Sequence, residues 1–170
     1  MRIEAANERD GRSIAQVHVA SWQAAYAGIV PATYLAALSV EQREAWWSEA
    51  LAKGEPEVLV ARSEGQITGF IAHGPCRDPG APPDFGEVWA LYVLGSHWSS
   101  GVGRALWLHA LERLRARGFR LVTLWVLARN ERGRRFYEAA GFEAEPGSNK
   151  TFTLGEAQLE ELRLVYEDVA

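Results

Sequence analysis

The sequence holds a single cysteine, Cys76, so no disulfide can form within the chain and a reducing compartment suits it. It has no run of 18 apolar residues, and no apolar stretch follows Met1-Arg2-Ile3-Glu4-Ala5-Ala6, which argues against a membrane span and a secretory leader. The cytoplasm is the expected location. Basic residues are not in excess: 18 Lys and Arg stand against 22 Asp and Glu, a formal net charge of -4. Nucleic acid and anionic membrane surfaces are therefore poor first partners. The four histidines, His18, His73, His97 and His109, lack the spacing of a local zinc cluster, so no metal is expected. No internal repeat or low-complexity tract is present. The 170 residues, 48% of them hydrophobic, suffice for one core, and 1–170 reads as one domain.

What is present alternates between two periodicities. Helices are predicted at Ser13 to Ala25, with Ser13 near the cap, from Pro31 to Leu38, and from Ser39 to Leu51, with Ser39 as cap. Val58–Ala61 and Ile67–Ala72 form a hairpin turning at Glu64-Gly65. The stretch from Pro75 to Asp84, with Pro75, Pro79, Gly80, Pro82 and Pro83, is a surface loop. Phe85 to Leu94 is a central strand covered on both faces. Simple alternation puts residues 87, 89, 91 and 93 on one of them. Helices over Val102–Arg117 and Asn130–Ala140 flank a buried strand at Leu121–Leu127, and Leu162–Tyr166 is the last strand. This order implies a mixed sheet with helices packed on it, an α/β (α+β mixed) fold.

The segment Leu91-Tyr92-Val93-Leu94-Gly95-Ser96-His97-Trp98-Ser99-Ser100-Gly101-Val102-Gly103-Arg104 runs from a buried strand through small residues into a helix. The first N–H groups of such a helix lack intrahelical partners and suit a phosphate. Gly101 and Gly103 keep side chains away from the backbone, Ser99 and Ser100 offer hydroxyls, and Arg104 offers charge. Glycines that merely permit a tight turn explain the same pattern. No Lys-Ser or Lys-Thr pair follows, as a Walker loop requires, and the third glycine of a dinucleotide fingerprint is missing.

Together with Asn130-Glu131-Arg132-Gly133-Arg134-Arg135-Phe136-Tyr137-Glu138-Ala139-Ala140-Gly141-Phe142, this segment resembles the GCN5-related N-acetyltransferase (GNAT) superfamily over roughly residues 85 to 143. Trp22-x-x-x-Tyr26-x-Gly28-Ile29-Val30-Pro31 resembles one bacterial branch of it. The resemblance implies a central mixed sheet flanked by helices, with a V-shaped split between the two central strands. It implies acetyl-CoA as cosubstrate and direct transfer of acetyl to a primary amine in a ternary complex. By the same resemblance, Leu91, Tyr92, Val93, Trp98, Ser99, Ser100, Gly101, Val102, Gly103, Arg104, Asn130 and Arg134 bind the cofactor. The N–H of Tyr92 or Val93 serves the oxyanion, and Tyr137 protonates the sulfur. Trp98 departs from the family's usual glutamine or arginine, and Gly133 from a small residue such as alanine.

Glu87 is the candidate base, directly or through water, since a carboxylate on a central strand calls for a cleft; a pairing with an arginine also accounts for it. Tyr137 also reads as a packed aromatic beside Phe136, and Asn130 as a helix cap. Trp22, Tyr26 and Trp89 are candidates for an aromatic acceptor wall or for core contacts. The acceptor is expected to be a small-molecule amine, with a protein N-terminus as the other choice. A homodimer remains open. Two competing functions are a non-catalytic acyl-CoA-binding domain and transfer of a longer acyl group.

Overall fold

The computed structural model describes residues 1–167. Eight strands form one mixed sheet in the order β1-β2-β3-β4-β5-β8-β6, with β7 pairing β8. In chain order these are β1 (Arg2–Ala5), β2 (Glu57–Ser63), β3 (Gln66–Pro75), β4 (Phe85–Val93), β5 (Leu121–Leu127), β6 (Glu143–Ala144), β7 (Lys150–Leu154) and β8 (Ala157–Glu167). The helices are α1 (Gly11–Ala25), α2 (Ala32–Ala36), α3 (Val40–Lys53), α4 (Val102–Ala116) and α5 (Glu131–Ala139).

The helix ends follow local chemistry. Ser39 accepts the Gln42 N–H at 3.2 Å and caps α3, as its sequence predicts. Helix α1 begins two residues before Ser13, because a 3-10 turn over Glu8–Asp10 leads into it. Asn7 and Asp10 hold that turn in a reciprocal capping box. Gly54 closes α3 in the left-handed region, at φ 71°. Glu64 and Gly65 turn the β2–β3 hairpin with φ 50° and 80°. The C-terminal hairpin is longer than the single predicted strand. β7 is largely exposed and alternates too weakly to be read, and β8 extends five residues before Leu162.

Two apolar layers cover the sheet. On one face α4 buries Leu106, Trp107, Ala110, Leu111 and Leu114 against Leu59, Ile71, Val122 and Leu124, with Phe136 and Tyr137 of α5 packed beside them. On the other, Ile14 and Val17 of α1 and Trp47 of α3 cover Val58, Val60, Phe70 and Ala72. Each fully buried aliphatic side chain contributes about 1.5–3 kcal/mol.

The feature that makes a site is the junction of β4 with β5, the one parallel pair among the described strands. It runs only through Phe85↔Leu121, Gly86↔Val122 and Glu87↔Thr123. Beyond Glu87 the strands separate, producing the expected V. A bulge coincides with the separation: Ala72 pairs with Ala90 but His73 pairs with Val88, leaving Trp89 as the extra residue. The bulge breaks the simple alternation expected along β4. Val88, Leu91 and Val93 face α4, whereas Trp89, Ala90 and Tyr92 face α1 and α3.

The loop between β3 and β4 lies on the surface and is tied down at three points. Arg77 pairs with Glu87, Asp78 accepts from Trp125 Nε1 at 2.9 Å, and Asp78 also accepts from Arg163 Nε at 2.9 Å.

Candidate active site

The V opens into a cleft of about 520 Å³ walled by β4, β5 and the first turns of α4 and α5. At its outer end Gly101 is the N-cap of α4, in the left-handed conformation at φ 88°, and no side chain caps that helix. A Cβ on Gly101 would meet nothing within 4 Å, so the space beside the free N–H groups is open. Ser99, also left-handed at φ 59°, lines the cleft with Val102 and Arg104. This end fits an anion.

Two of the residues expected here do not line the cleft, and a third has a further reason to be there. Ser100 is not a lining residue, because its hydroxyl donates to the His97 carbonyl at 2.5 Å and braces the loop. Gly103 lines the cleft and also meets a neighbouring ring: a Cβ there would come 3.1 Å from Phe136, so the glycine lets α4 and α5 approach closely. Arg134 turns away from the cleft and donates to the Ala128 carbonyl at 3.1 Å, fastening α5 to the end of β5. Trp98 does line the cleft. Its Nε1 donates to the Val93 carbonyl at 2.9 Å, and the Arg132 guanidinium lies 3.9 Å over its ring.

Along the inner wall, Leu94 N–H donates to Thr68 O across the β3–β4 pair. Antiparallel alternation then turns the main-chain groups of Tyr92 and Ala90 to β3 and those of Val93 and Leu91 to the cleft. Of the two expected oxyanion donors, Val93 is therefore free to serve and Tyr92 is not. Tyr92 enters through its side chain. Its ring stacks on His18 with centroids 5.2 Å apart, and its phenol neighbours that of Tyr26. Tyr26, Tyr92 and Tyr137 all border the cleft, and all three phenols are pushed up, chiefly by burial. Tyr92 and Tyr137 add to the effect at Tyr26, and Tyr92 adds to it at Tyr137.

Asn130 caps α5 by accepting from Gly133 N–H at 3.0 Å, and it also lines the cleft. Gly133 has a reason that its sequence position alone conceals: a Cβ there would stand 2.5 Å from Asn130 Nδ2.

Glu87 lies elsewhere. It is 2% exposed and does not line the cleft, since the bulge puts it on the opposite face from Leu91 and Val93. Its carboxylate accepts from Arg77 Nη2 at 2.6 Å, Nε at 3.2 Å and main-chain N–H at 2.8 Å. Arg77 in turn lies 4.2 Å over Trp89, whose Nε1 donates to the Pro75 carbonyl. The arginine pairing, one of the two readings of this glutamate, is the arrangement present.

Trp89 borders the cleft, whereas Trp22 stands behind it, edge-on to Tyr26 at 4.9 Å. Sequence reasoning missed Trp125, Arg132 and Ser21, which also line the cleft. The Ser21 hydroxyl is buried without a protein partner. Trp125 lies on a recognised strand and Arg132 within a recognised motif, but nothing local marks which way either points.

The sequence profile described as the acetyltransferase (GNAT) family matches residues 17–142. The uncharacterized N-acetyltransferase YuaI of Bacillus subtilis is 33% identical over 169 residues, covering 99% of this chain and 94% of that protein. The PaiA N-acetyltransferase of Thermoplasma acidophilum, solved in complex with coenzyme A, superposes with a TM-score of 0.75 at 22% identity, covering 98% of this chain and 99% of that one. YncA of Salmonella typhimurium, solved with acetyl-CoA, gives 0.76 at 21% identity, covering 98% and 93%. The split sheet, the open glycine-capped helix and these likenesses agree: the chain belongs to the acetyltransferase (GNAT) family.

Proposed function

We propose that this protein is an N-acetyltransferase that moves the acetyl group of acetyl-CoA directly to a primary amine of a small molecule. One observation carries the proposal: the uncapped N-terminus of α4 and the Tyr137 phenol border the same cleft, at the point where β4 and β5 part. The free N–H groups of α4, with Ser99 and Arg104, would hold the cofactor's phosphates. The exposed edge of β4 at Leu91 and Val93 would hold the pantetheine, with Asn130 on the facing wall.

Acetyl-CoA supplies an activated acyl carbon. The amine's lone pair forms the C–N bond, the C–S bond breaks, and the net proton movement is from amine nitrogen to sulfur. Val93 N–H faces the developing oxyanion. Tyr137 offers a proton to the sulfur, because burial holds its phenol protonated throughout the working range. Its phenolate would be a strong base and would recover a proton at once from the water that receives the amine's. The acceptor would enter against Tyr26, Trp89 and Trp125.

The test is release of free coenzyme A from acetyl-CoA with a panel of primary amines, for wild type and Tyr137→Phe. Amine-dependent release that falls about 100-fold in kcat in the variant is expected. Release that no amine stimulates, despite tight acetyl-CoA binding, would indicate a binding domain.

A further inference from the structure

Trp98 brings no charge to the phosphate end of the cleft, yet an arginine from another helix lies on it. Arg132 sits in the first turn of α5, where the helix dipole disfavours a cation. No carboxylate pairs with it among the described residues, and the same is true of Arg104. What fixes Arg132 is the Trp98 ring, 3.9 Å beneath its guanidinium. Trp98 is itself fastened to the end of β4 through its Nε1 bond to Val93 O. Two cationic side chains and two helix N-termini thus converge on one open space, with Arg132, Trp98, Gly101 and Arg104 all bordering it. Such an accumulation of positive charge calls for an anion.

We propose that Arg132, held by stacking on Trp98, binds the diphosphate of the coenzyme A moiety and makes this site depend on a side chain delivered from α5. The proposal rests on the acetyl-CoA reading above. A planar guanidinium suits it, because one face can lie on the indole while its edge donates two N–H bonds to phosphate oxygens. The diphosphate is preferred to the 3′-phosphate because Arg132 borders the same space as the first turn of α4.

Calorimetric titration separates the possibilities, using acetyl-CoA, 3′-dephospho-acetyl-CoA and S-acetylpantetheine as probes. Arg132→Ala, an exposed position that should leave the fold intact, is expected to weaken the first two probes by about 10- to 100-fold and the third not at all. Trp98→Leu should weaken them similarly, and the double variant little further, since each residue acts through the other. Trp98→Phe keeps a ring under Arg132 while dropping the bond to Val93 O, and should retain most of the affinity. The proposal is overturned if Arg132→Ala matches wild type, if its loss is confined to the probe bearing the 3′-phosphate, or if the loss extends to acetylpantetheine. Wild type that binds none of the probes would remove the cofactor reading itself, and this inference with it.

Discussion

The two ends of the cleft are built on opposite principles. The outer end is main chain and cation: a left-handed glycine, unpaired helix N–H groups and two arginines. The inner end is aromatic, with Tyr26 just past the end of α1, Tyr92 of β4 and Tyr137 of α5 bordering the cleft together with Trp89 and Trp125. On the proposed reading the outer end would recognise a shape and charge common to many thioesters, since backbone amides do not distinguish what lies beyond the phosphates. On the same reading, selectivity for the acceptor would come from the inner end, where the side chains of Tyr26, Trp89 and Trp125 line the cleft beside the β4 main chain.

The strongest way to break this division is to attack the outer end sterically. Gly101→Val forces a β-branched residue to φ 88° and fills the space beside the α4 amides. Steady-state kinetics should show KM for acetyl-CoA rising by more than about 30-fold and kcat falling much less. A kcat that falls in parallel would mean the two ends are not separable.

Two buried histidines, His18 stacked on Tyr92 and His73 beside the β4 bulge, bear on stability. Burial pushes His18 and His73 down to about 4, with Arg43 adding to the effect at His18 and Arg117 and Arg113 at His73. Both are therefore neutral when folded, and His18 uses Nδ1 to accept from Trp47 Nε1 at 3.0 Å. The unfolded chain binds these protons more readily, so stability is full above pH ~6.5 and is lost as pH falls towards 4, by up to ~3 kcal/mol per group. Denaturant melts from pH 7 to 4.5 should show that slope, and His73→Leu should reduce it by about half, His18 supplying the rest.

A smaller effect is expected at Glu87. Glu87→Gln keeps the acceptor for the Arg77 main chain and loses the ion pair, which should cost about 1–2 kcal/mol of stability while kcat stays within about threefold. A loss of 100-fold or more in a folded variant would restore Glu87 as the base.

The smallest effect concerns Gly133. Helix propensity alone makes Gly133→Ala stabilising by about 1 kcal/mol. The added Cβ displaces the Asn130 amide and its cap, worth a similar amount. Thermal melts should show no gain.

The contrast also explains what the sequence could disclose. Apart from Arg132, the outer end is local, contained between Trp98 and Arg104, so its glycines and the strand-to-helix change were legible. The fold was legible for the same reason, from the β2–β3 hairpin through α5. The inner end joins residues from 21 to 137 in chain order, and alternation fails within it because Trp89 is an added residue in β4. Past that bulge every inference from odd and even numbering inverts, which is how Glu87 was expected beside Leu91. Arg132 escaped notice because a helical sequence shows periodicity, not the aromatic ring a neighbouring loop will place beneath one of its residues.

The loop from β3 to β4 carries a last consequence. With Glu87, Trp125 and Arg163 each gripping it through Arg77 or Asp78, its conformational entropy is surrendered when the chain folds. The loop does not itself line the cleft, but Asp78 holds Trp125 and Arg77 lies over Trp89, two rings that do. On the proposed reading an acceptor would meet rings already fixed and need not spend binding energy on arranging them. On that reading discrimination would be geometric, and enlarging the range of acceptors would begin with cutting those three ties before altering the pocket itself.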